Sequence, residues 1–403
     1  MNRLLELPKA QQRALDLVKE IAAEKNLHPF LVGGPVRDLL LGRHSIDIDL
    51  TLEEGSSTLA RALAKRIEGR VRSYPQFLTY KVTADEFPEI DIATARSERY
   101  RAPGTLPIVS EGRLNDDLLR RDFTVNAIAL DLVDNALHDP SNGERDIADR
   151  LIRVLHDESF IDDPTRIFRA VRLATRLGFT IEPHTADLLR AAIESNALSS
   201  VSRERVWREL FLAMDEHEAP AVLAALRDAG ALDMLFGPRR VPDLRDKLEA
   251  MRELIERDAS LVRSVIYTGL LLCGDASPID FEGSGLSQKR ARAVVEIANE
   301  LPRFGEALDH ATSERQRFRL YRSVSPEMLA VVSVERPDER PRIERWRDFK
   351  QFAIALRGNE LEVPPGPHIA KALERTREAV FNGEIEPEQA RSYAREMARK
   401  YME

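Results

Sequence analysis

The chain has 403 residues, enough for two to four domains with buried cores. It carries 60 basic and 68 acidic residues, a net charge of −8, which argues against broad non-specific RNA binding but leaves room for a local basic patch. Its single cysteine, Cys273, excludes an intrachain disulfide framework or a cysteine zinc site, and within the apolar run YTGLLLC it is expected to be a buried thiol.

The start, MNRLLELPKAQQRALDLVKEIAAEK, is polar and helix-periodic, with no secretory pattern. No apolar run nears the ~18–20 residues of a membrane span. A cytoplasmic location is expected.

Next comes LVGGPVRDLLLGRHSIDIDLT, from Leu31 to Thr51. An apolar strand leads into Gly33-Gly34, which let the backbone approach a phosphate and adopt positive φ. Pro35 fits the first position of a helix whose free N–H groups favour an anion. Arg37, in its first turn, reaches the same anion with a planar fork. The chain then returns to a strand in which Asp47 and Asp49 share a face, roughly 7 Å apart, while Ile46, Ile48 and Leu50 face a core. Magnesium suits such a pair, because it takes carboxylate oxygens, waters and substrate phosphates. Alone, D-x-D also fits the polar side of an edge strand. G-G-x-x-R-D followed by D-x-D points instead to nucleotide transfer from a magnesium-bound triphosphate.

In the strand-like EIDIATA, Asp91 alternates with Ile90 and Ile92 and is a possible third carboxylate near the metals. The following ARSERYRAPGTLPIVSEGRLNDDLLRRD is rich in Pro, Gly and charge, and reads as a flexible loop. RRDFTVNAIALDL, from Arg120 to Leu132, fits a buried strand or a helix. Its Arg120 and Arg121 offer charge to a triphosphate, and Asp122 and Asn126 could bind a ribose or hold the arginines. In IDDPTRIFRAVRLATRLGF, Asp163 is expected as helix N-cap, Pro164 at the first position and Gly178 as the stop. Arg166, Arg169, Arg172 and Arg176 recur on one face, opposite Ile167, Val171, Ala174 and Leu177.

Beyond about Asp146 strand signals nearly vanish. Helical patterns recur in DLLRAAIESNAL, RERVWRELFLAMDE, APAVLAALRDAGAL and LRDKLEAMRELIERD. Gly230, Gly237-Pro238, Pro242, residues 274–285 and residues 356–367 break them, with a final helical pair after the last. Candidate RNA contacts are Arg315, Arg317, Arg319 and Arg322, then Arg340, Arg342, Arg345, Arg347 and Lys350 around Trp346. Interleaved acids make a solvated helix face the competing reading. His138-Asp139 and His156-Asp157 lack partner histidines, and no metal is assigned to them.

The ordered set GGPVRD, DIDLT, DIATARSERY, RRDFTVNA, DDPTRIFRAVRLATRLGF and SRERVWREL, over residues ~25–210, resembles the class II tRNA nucleotidyltransferase and bacterial poly(A) polymerase superfamily. Within it the chain is most similar to CCA-adding enzymes. The resemblance implies an α+β fold. A small polymerase-β-like head with a mixed sheet (1–140) would precede a helical neck with the base-reading element (141–230) and an all-helical, tRNA-binding body and tail (231–403). It implies that Asp47 and Asp49 are catalytic and hold Mg2+, and that Gly33, Gly34, Arg37 and Arg121 serve the triphosphate. Asp163 and Arg166 would read the base, with Arg169 and Arg172 completing the nucleotide pocket. Asp162 stands where the family usually has Glu and is given no role.

A carboxylate that accepts and a guanidinium that donates match the N4/N3 edge of cytosine and the N6/N1 edge of adenine, and mismatch uracil and guanine. The expected activity is addition of C and A from CTP and ATP to tRNA 3′ ends. Alternatives are CC-only or A-only addition, poly(A) synthesis, a small-molecule nucleotidyltransferase, and a non-catalytic RNA-binding protein. Oligomeric state is left open.

Overall fold

The computed structural model describes residues 7–43, 47–236, 244–273 and 280–402. The chain divides into two compact units, Met1–Pro238 and Arg239–Glu403.

The first unit is built on a seven-stranded mixed sheet. Helix α1 (Lys9–Lys25) leads into β1 (Phe30–Val32), which passes through Gly33 into α2 (Gly34–Leu40) and then β2 (Ile48–Leu52). Helix α3 (Ser56–Arg66) follows, then β3 (Arg70–Tyr74), β4 (Thr79–Ala84) and β5 (Phe87–Thr94). The hairpin β6 (Arg96–Arg99) and β7 (Ile108–Glu111) leads to α4 (Leu114–Leu119), β8 (Ala129–Asp131) and β9 (Leu137–His138). The sheet order is β3-β4-β5-β2-β1-β8-β9, and only the β2–β5 pair in it is parallel.

Period-two alternation sorts the two faces. Ile48, Leu50, Leu52, Val82, Ile90 and Ile92 are buried, as are Leu15, Val18, Leu59 and Leu63 of α1 and α3. Asp49 and Asp91 sit in register as neighbours across β2 and β5, on the alternate positions. Ile46 lies outside the described residues.

Two expectations for the head are corrected. The Pro- and Gly-rich segment after Asp91 is a hairpin and a helix rather than an irregular loop. Its tip is tied down: Gly104 N donates to Asp162 O (3.2 Å), and Arg205 donates to Gly104 O (2.9 Å). The block from Arg120 is neither one strand nor one helix. Thr124–Asn126 form a 3-10 turn before the three-residue β8, so one short segment serves both the cleft and the sheet.

The rest of this unit is helical apart from two-residue strands at Leu151–Ile152 and Thr180–Ile181. It includes α5 (Gly143–Asp149), α6 (Ser159–Asp162), α7 (Arg166–Leu177), α8 (Pro183–Glu194) and α9 (Arg203–Asp215). Gly178 ends α7 at φ +69°, as expected. The helix start is corrected: α7 begins at Arg166 with Thr165 as its N-cap, so Asp163 and Pro164 fall in the turn before it, where Asp163 Oδ1 accepts from Thr165 N at 3.1 Å.

The second unit contains only helices among its described residues, from Arg245–Arg257 to the closing pair Pro367–Phe381 and Ala390–Lys400. Gly237-Pro238, Pro242, residues 274–279 and the side chain of Lys350 lie outside the described residues. Of the candidate RNA contacts here, Trp346 lies in the core and the described arginines are paired with carboxylates, several of them at the surface. Trp346 is buried against Phe318 (5.1 Å) and Phe381 (6.0 Å), so it is no stacking platform. The arginines have carboxylate partners: Arg315 and Arg319 with Glu378, Arg317 with Glu339, Arg322 with Glu374, Arg340 with Glu344, Arg342 and Arg345 with Glu314, and Arg347 with Asp258. Cys273 is half-buried rather than buried. No described helix is long and apolar enough to cross a membrane.

Glu339, 3 % exposed, accepts from Tyr321 Oη and Arg317 Nε. Glu339→Gln leaves the half-buried Arg317 guanidinium without its counter-charge and is expected to destabilise this unit by about 1–3 kcal/mol. The urea midpoint of tryptophan fluorescence measures this, and an unchanged midpoint contradicts it.

Candidate active site

β2, α2, the Arg120–Asn126 segment and α7 converge on one cleft system. A larger cleft of about 520 Å³ is lined by Asp49, Tyr100, Arg121, Asp163, Arg166 and Arg205 among others. A smaller one of about 270 Å³ is lined by Arg37, Asp38, Asp47, Arg172 and Arg176 among others. Gly34, Asp49, Asp122, Asn126 and Arg169 border both. Of the residues expected to hold the metal or the nucleotide, Gly33 is absent from both linings, as is the candidate third carboxylate Asp91.

Gly33 acts through conformation. Its φ is +75°, and a Cβ there would stand 2.6 Å from Arg121 Nη1. A side chain would therefore be strained and would displace that guanidinium. Arg121 is anchored by Nη2 on Asp117 Oδ2 (3.0 Å), while its Nε is buried without a partner. Arg37, 3 % exposed, pairs with Asp38 (2.8 Å) and donates to Asn126 Oδ1.

Asn126 donates in turn to Asp122 Oδ1 (2.9 Å), and Asp122 Oδ2 accepts from Arg169 Nε (3.0 Å) and Nη2 (2.6 Å). Burial raises the Asp122 carboxyl, but Arg169, Asn126 and Arg166 outweigh it and hold the group far below the usual carboxylate range. Asp122 and Asn126 thus hold arginines, one of the two uses open to them from the sequence. Arg172 pairs with Glu209 and Glu216, leaving its Nε buried and unpartnered.

At the far end of the larger cleft, Asp163 Oδ1 accepts from Thr165 N, Thr165 Oγ1 (2.6 Å) and Arg205 Nη2 (2.8 Å). Arg166, 5 % exposed, donates Nη1 to Ser159 Oγ (2.6 Å) and Nη2 to Arg120 O (3.0 Å). Arg205 was legible only as part of SRERVWREL, because both of its partners are distant in sequence. Tyr100 lines this cleft too, and the sequence marked it only as the last residue of DIATARSERY.

The opposite end is acidic. Burial pushes the Asp49 carboxyl up to about 6, with Asp91 and Asp47 adding to the rise and Arg121 and Lys81 opposing it. Asp91 is also raised, by burial and by Glu89 and Asp47 against Lys81. Asp91 Oδ1 is buried with no hydrogen-bond partner. Crowded, destabilised carboxylates of this kind fit a divalent cation. Among the described residues no three His, Cys, Asp or Glu side chains form a complete metal cage.

Residues 29–153 match the model of the Poly A polymerase head domain, and residues 178–248 that of the probable RNA and SrmB-binding site of polymerase A. An A-adding tRNA nucleotidyltransferase of Geobacter sulfurreducens is 31 % identical over 95 % of this chain and 46 % of its own length. A multifunctional CCA protein of Xanthomonas campestris pv. campestris is 38 % identical over 52 % of this chain and 53 % of its own. A solved CCA-adding enzyme (apo form II) superposes with a TM-score of 0.76 at 26 % identity, covering 94 % of each chain. The chain belongs to the class II tRNA nucleotidyltransferase and poly(A) polymerase superfamily. It spans about half the length, or less, of the first curated relatives it matches. The superfamily's α+β organisation, a mixed-sheet head followed by helices, is the one described above.

The raised Asp49 group carries a sign that can be tested. Its folded-state value lies above its unfolded value of 3.8, so the fold favours the protonated form. No cost is felt below about pH 4, and the cost is complete once the pH passes about 6. Asp49→Asn is therefore expected to stabilise the metal-free protein by about 1–2 kcal/mol at pH 7.5, discounted for partial solvent access, and by nothing at pH 4. Thermal melts in chelator at both pH values measure this. Added magnesium should close the gap at pH 7.5, and a gap indifferent to pH contradicts the cause given.

Proposed function

We propose that this protein transfers nucleotides to the 3′ end of tRNA, adding C and A from CTP and ATP to build CCA. The observation that carries this reading is a pair of clefts joined at Gly34, Asp49, Asp122, Asn126 and Arg169, the smaller lined by Asp47 and the larger by Arg121, Asp163 and Arg166. Residues 1–140 act as catalytic head, 141–230 as neck, and 231–403 as the body and tail that hold the tRNA. Its proposed substrates place the enzyme in the cytoplasm.

Asp163 and Arg166 hold the incoming base. Asp163 Oδ1 is occupied by protein donors and Oδ2 has none among the described residues, while Arg166 has donors beyond the two it spends on Ser159 and Arg120. An amino group beside a ring acceptor satisfies this pair, as in cytosine and adenine. Uracil or guanine leaves buried groups unpaired, at about 1–3 kcal/mol each. Arg121, Arg37 and Gly34 hold the triphosphate, with Arg169 and Arg172 adding charge. Asp47 and Asp49 would hold Mg2+, which supplies charge stabilisation for the attacking and leaving oxygens. The tRNA 3′ hydroxyl attacks the α-phosphorus in line. A bond to the terminal oxygen forms, the α–β bridge breaks, and pyrophosphate leaves.

A second reading, addition of the terminal A alone, is favoured by the A-adding enzymes among the relatives, one of which matches 95 % of this chain. One incubation separates the two. With tRNA lacking CCA, tRNA ending in CC, and an oligo(A) primer, each given CTP and ATP, CCA addition extends the first tRNA by three nucleotides. A-only addition extends the second alone, and a long tail on oligo(A) refutes both. Asp47→Ala or Asp49→Ala should lower incorporation by at least 10³-fold with the melting transition retained, since preorganised charge stabilisation is the largest catalytic contribution. Residual activity near wild type in either variant refutes the assignment. Asp163→Ala should leave incorporation measurable but narrow the preference for CTP and ATP over UTP and GTP about tenfold or more. Competition assays with mixed nucleotides read it, and undiminished selectivity removes Asp163 from base reading.

A further inference from the structure

Asp117 lies on α4, four residues before Arg121, and is 0 % exposed. Its two oxygens are divided between two arginines. Oδ1 accepts from Arg120 Nε (3.0 Å) and Nη2 (2.6 Å), and Oδ2 accepts from Arg121 Nη2 (3.0 Å). Arg120 is gripped from the other side by Glu98 Oε1 (2.9 Å), which also takes Nε and Nη2 of Arg96. Arg120 therefore cannot swing away, and Asp117 cannot turn to serve one arginine at the expense of the other.

With Nη2 of Arg121 committed to Asp117, its planar guanidinium loses most of its rotational freedom. Nη1 then lies over the Gly33 turn, 2.6 Å from where a Cβ would stand, and Nε remains unpartnered. A freely rotating arginine would spend side-chain entropy on each binding event, and this one has spent it in folding. Burial raises the Asp117 carboxyl, yet Arg121 and Arg120 more than reverse it, so the group stays ionised in the fold.

We propose that Asp117 is a positioning residue for nucleotide binding: a buried carboxylate that aims Arg121 at the phosphates above the Gly33-Gly34 turn and acts on the triphosphate only through Arg121. This rests on the reading of Arg121 as a triphosphate ligand. A carboxylate kept merely for packing predicts a uniform loss of stability and of all ligand binding. A positioning carboxylate predicts a loss confined to ligands that carry the phosphates and dependent on the presence of Arg121.

The test is a double-mutant cycle on the full chain, with ATP and adenosine binding measured by equilibrium dialysis in magnesium. Asp117→Asn keeps the size and one acceptor oxygen but removes the charge. It should weaken ATP about tenfold and leave adenosine within twofold. In the Arg121→Ala background the same change should move ATP by less than twofold. Equal losses for ATP and adenosine overturn the proposal, as does an undiminished effect of Asp117→Asn without Arg121. Arg121→Ala binding ATP like wild type would instead overturn the underlying reading of Arg121, an outcome distinct from the other two. If Asp117→Asn loses its native melting transition, Asp117→Glu enters the same cycle with the same expectations, because it keeps the buried charge and moves it by one methylene.

Discussion

Two buried carboxylates, five positions apart in the chain, hold the cleft in shape. Asp117 and Asp122 flank the pair Arg120-Arg121, the first fully buried and the second nearly so. A buried carboxylate must be matched by a cation in good geometry or lose its ionisation. Asp117 therefore fixes Arg120 and Arg121, while Asp122 fixes Arg169 directly and Arg37 through Asn126. Three distant stretches of chain are brought to one place in this way. The contribution to net stability is small, since desolvation consumes most of the attraction. The contribution to position is large, since arginines are otherwise among the most mobile side chains.

Much of this was legible in the sequence where a single period governs the segment. Ile48 and Leu50 against Asp47 and Asp49 follow the strand period. The arginine face of α7 follows the helical one, with Gly178 closing it at positive φ. The neighbourhood of Asp49 was less legible. Asp91 reaches it only because β2 and β5 run parallel, a pairing that no local pattern encodes. The block from Arg120 to Leu132 defeated a periodic reading because a turn of three residues and a strand of three share it. Neither is long enough to express a repeat. The hairpin after Asp91 has the composition of a loop, and its order comes from remote partners, Arg205 and the Asp162 carbonyl. The tail arginines carry the opposite lesson. Sequence displays their charges but not the carboxylates that neutralise them, and Trp346 among them is a core residue.

The two ends of the cleft solve different electrostatic problems. Around Asp163 and Arg166 every protein contact reduces freedom: three donors fall on one oxygen of the aspartate, and the arginine is pinned to a hydroxyl and a carbonyl. An end proposed to discriminate between bases needs that rigidity, because selectivity by unsatisfied hydrogen bonds vanishes if the groups can rotate to find other partners. Around Asp49 the protein does the reverse. Lys81 stands 3.6 Å from Asp91 and Arg121 offsets part of the charge, yet the Asp49 carboxyl still rests near 6 and one oxygen of Asp91 is left bare. More basic side chains here would complete the neutralisation and remove any attraction for a metal. The residual imbalance is what a divalent cation would relieve, so the fold is least comfortable where the proposed chemistry needs a cation to enter.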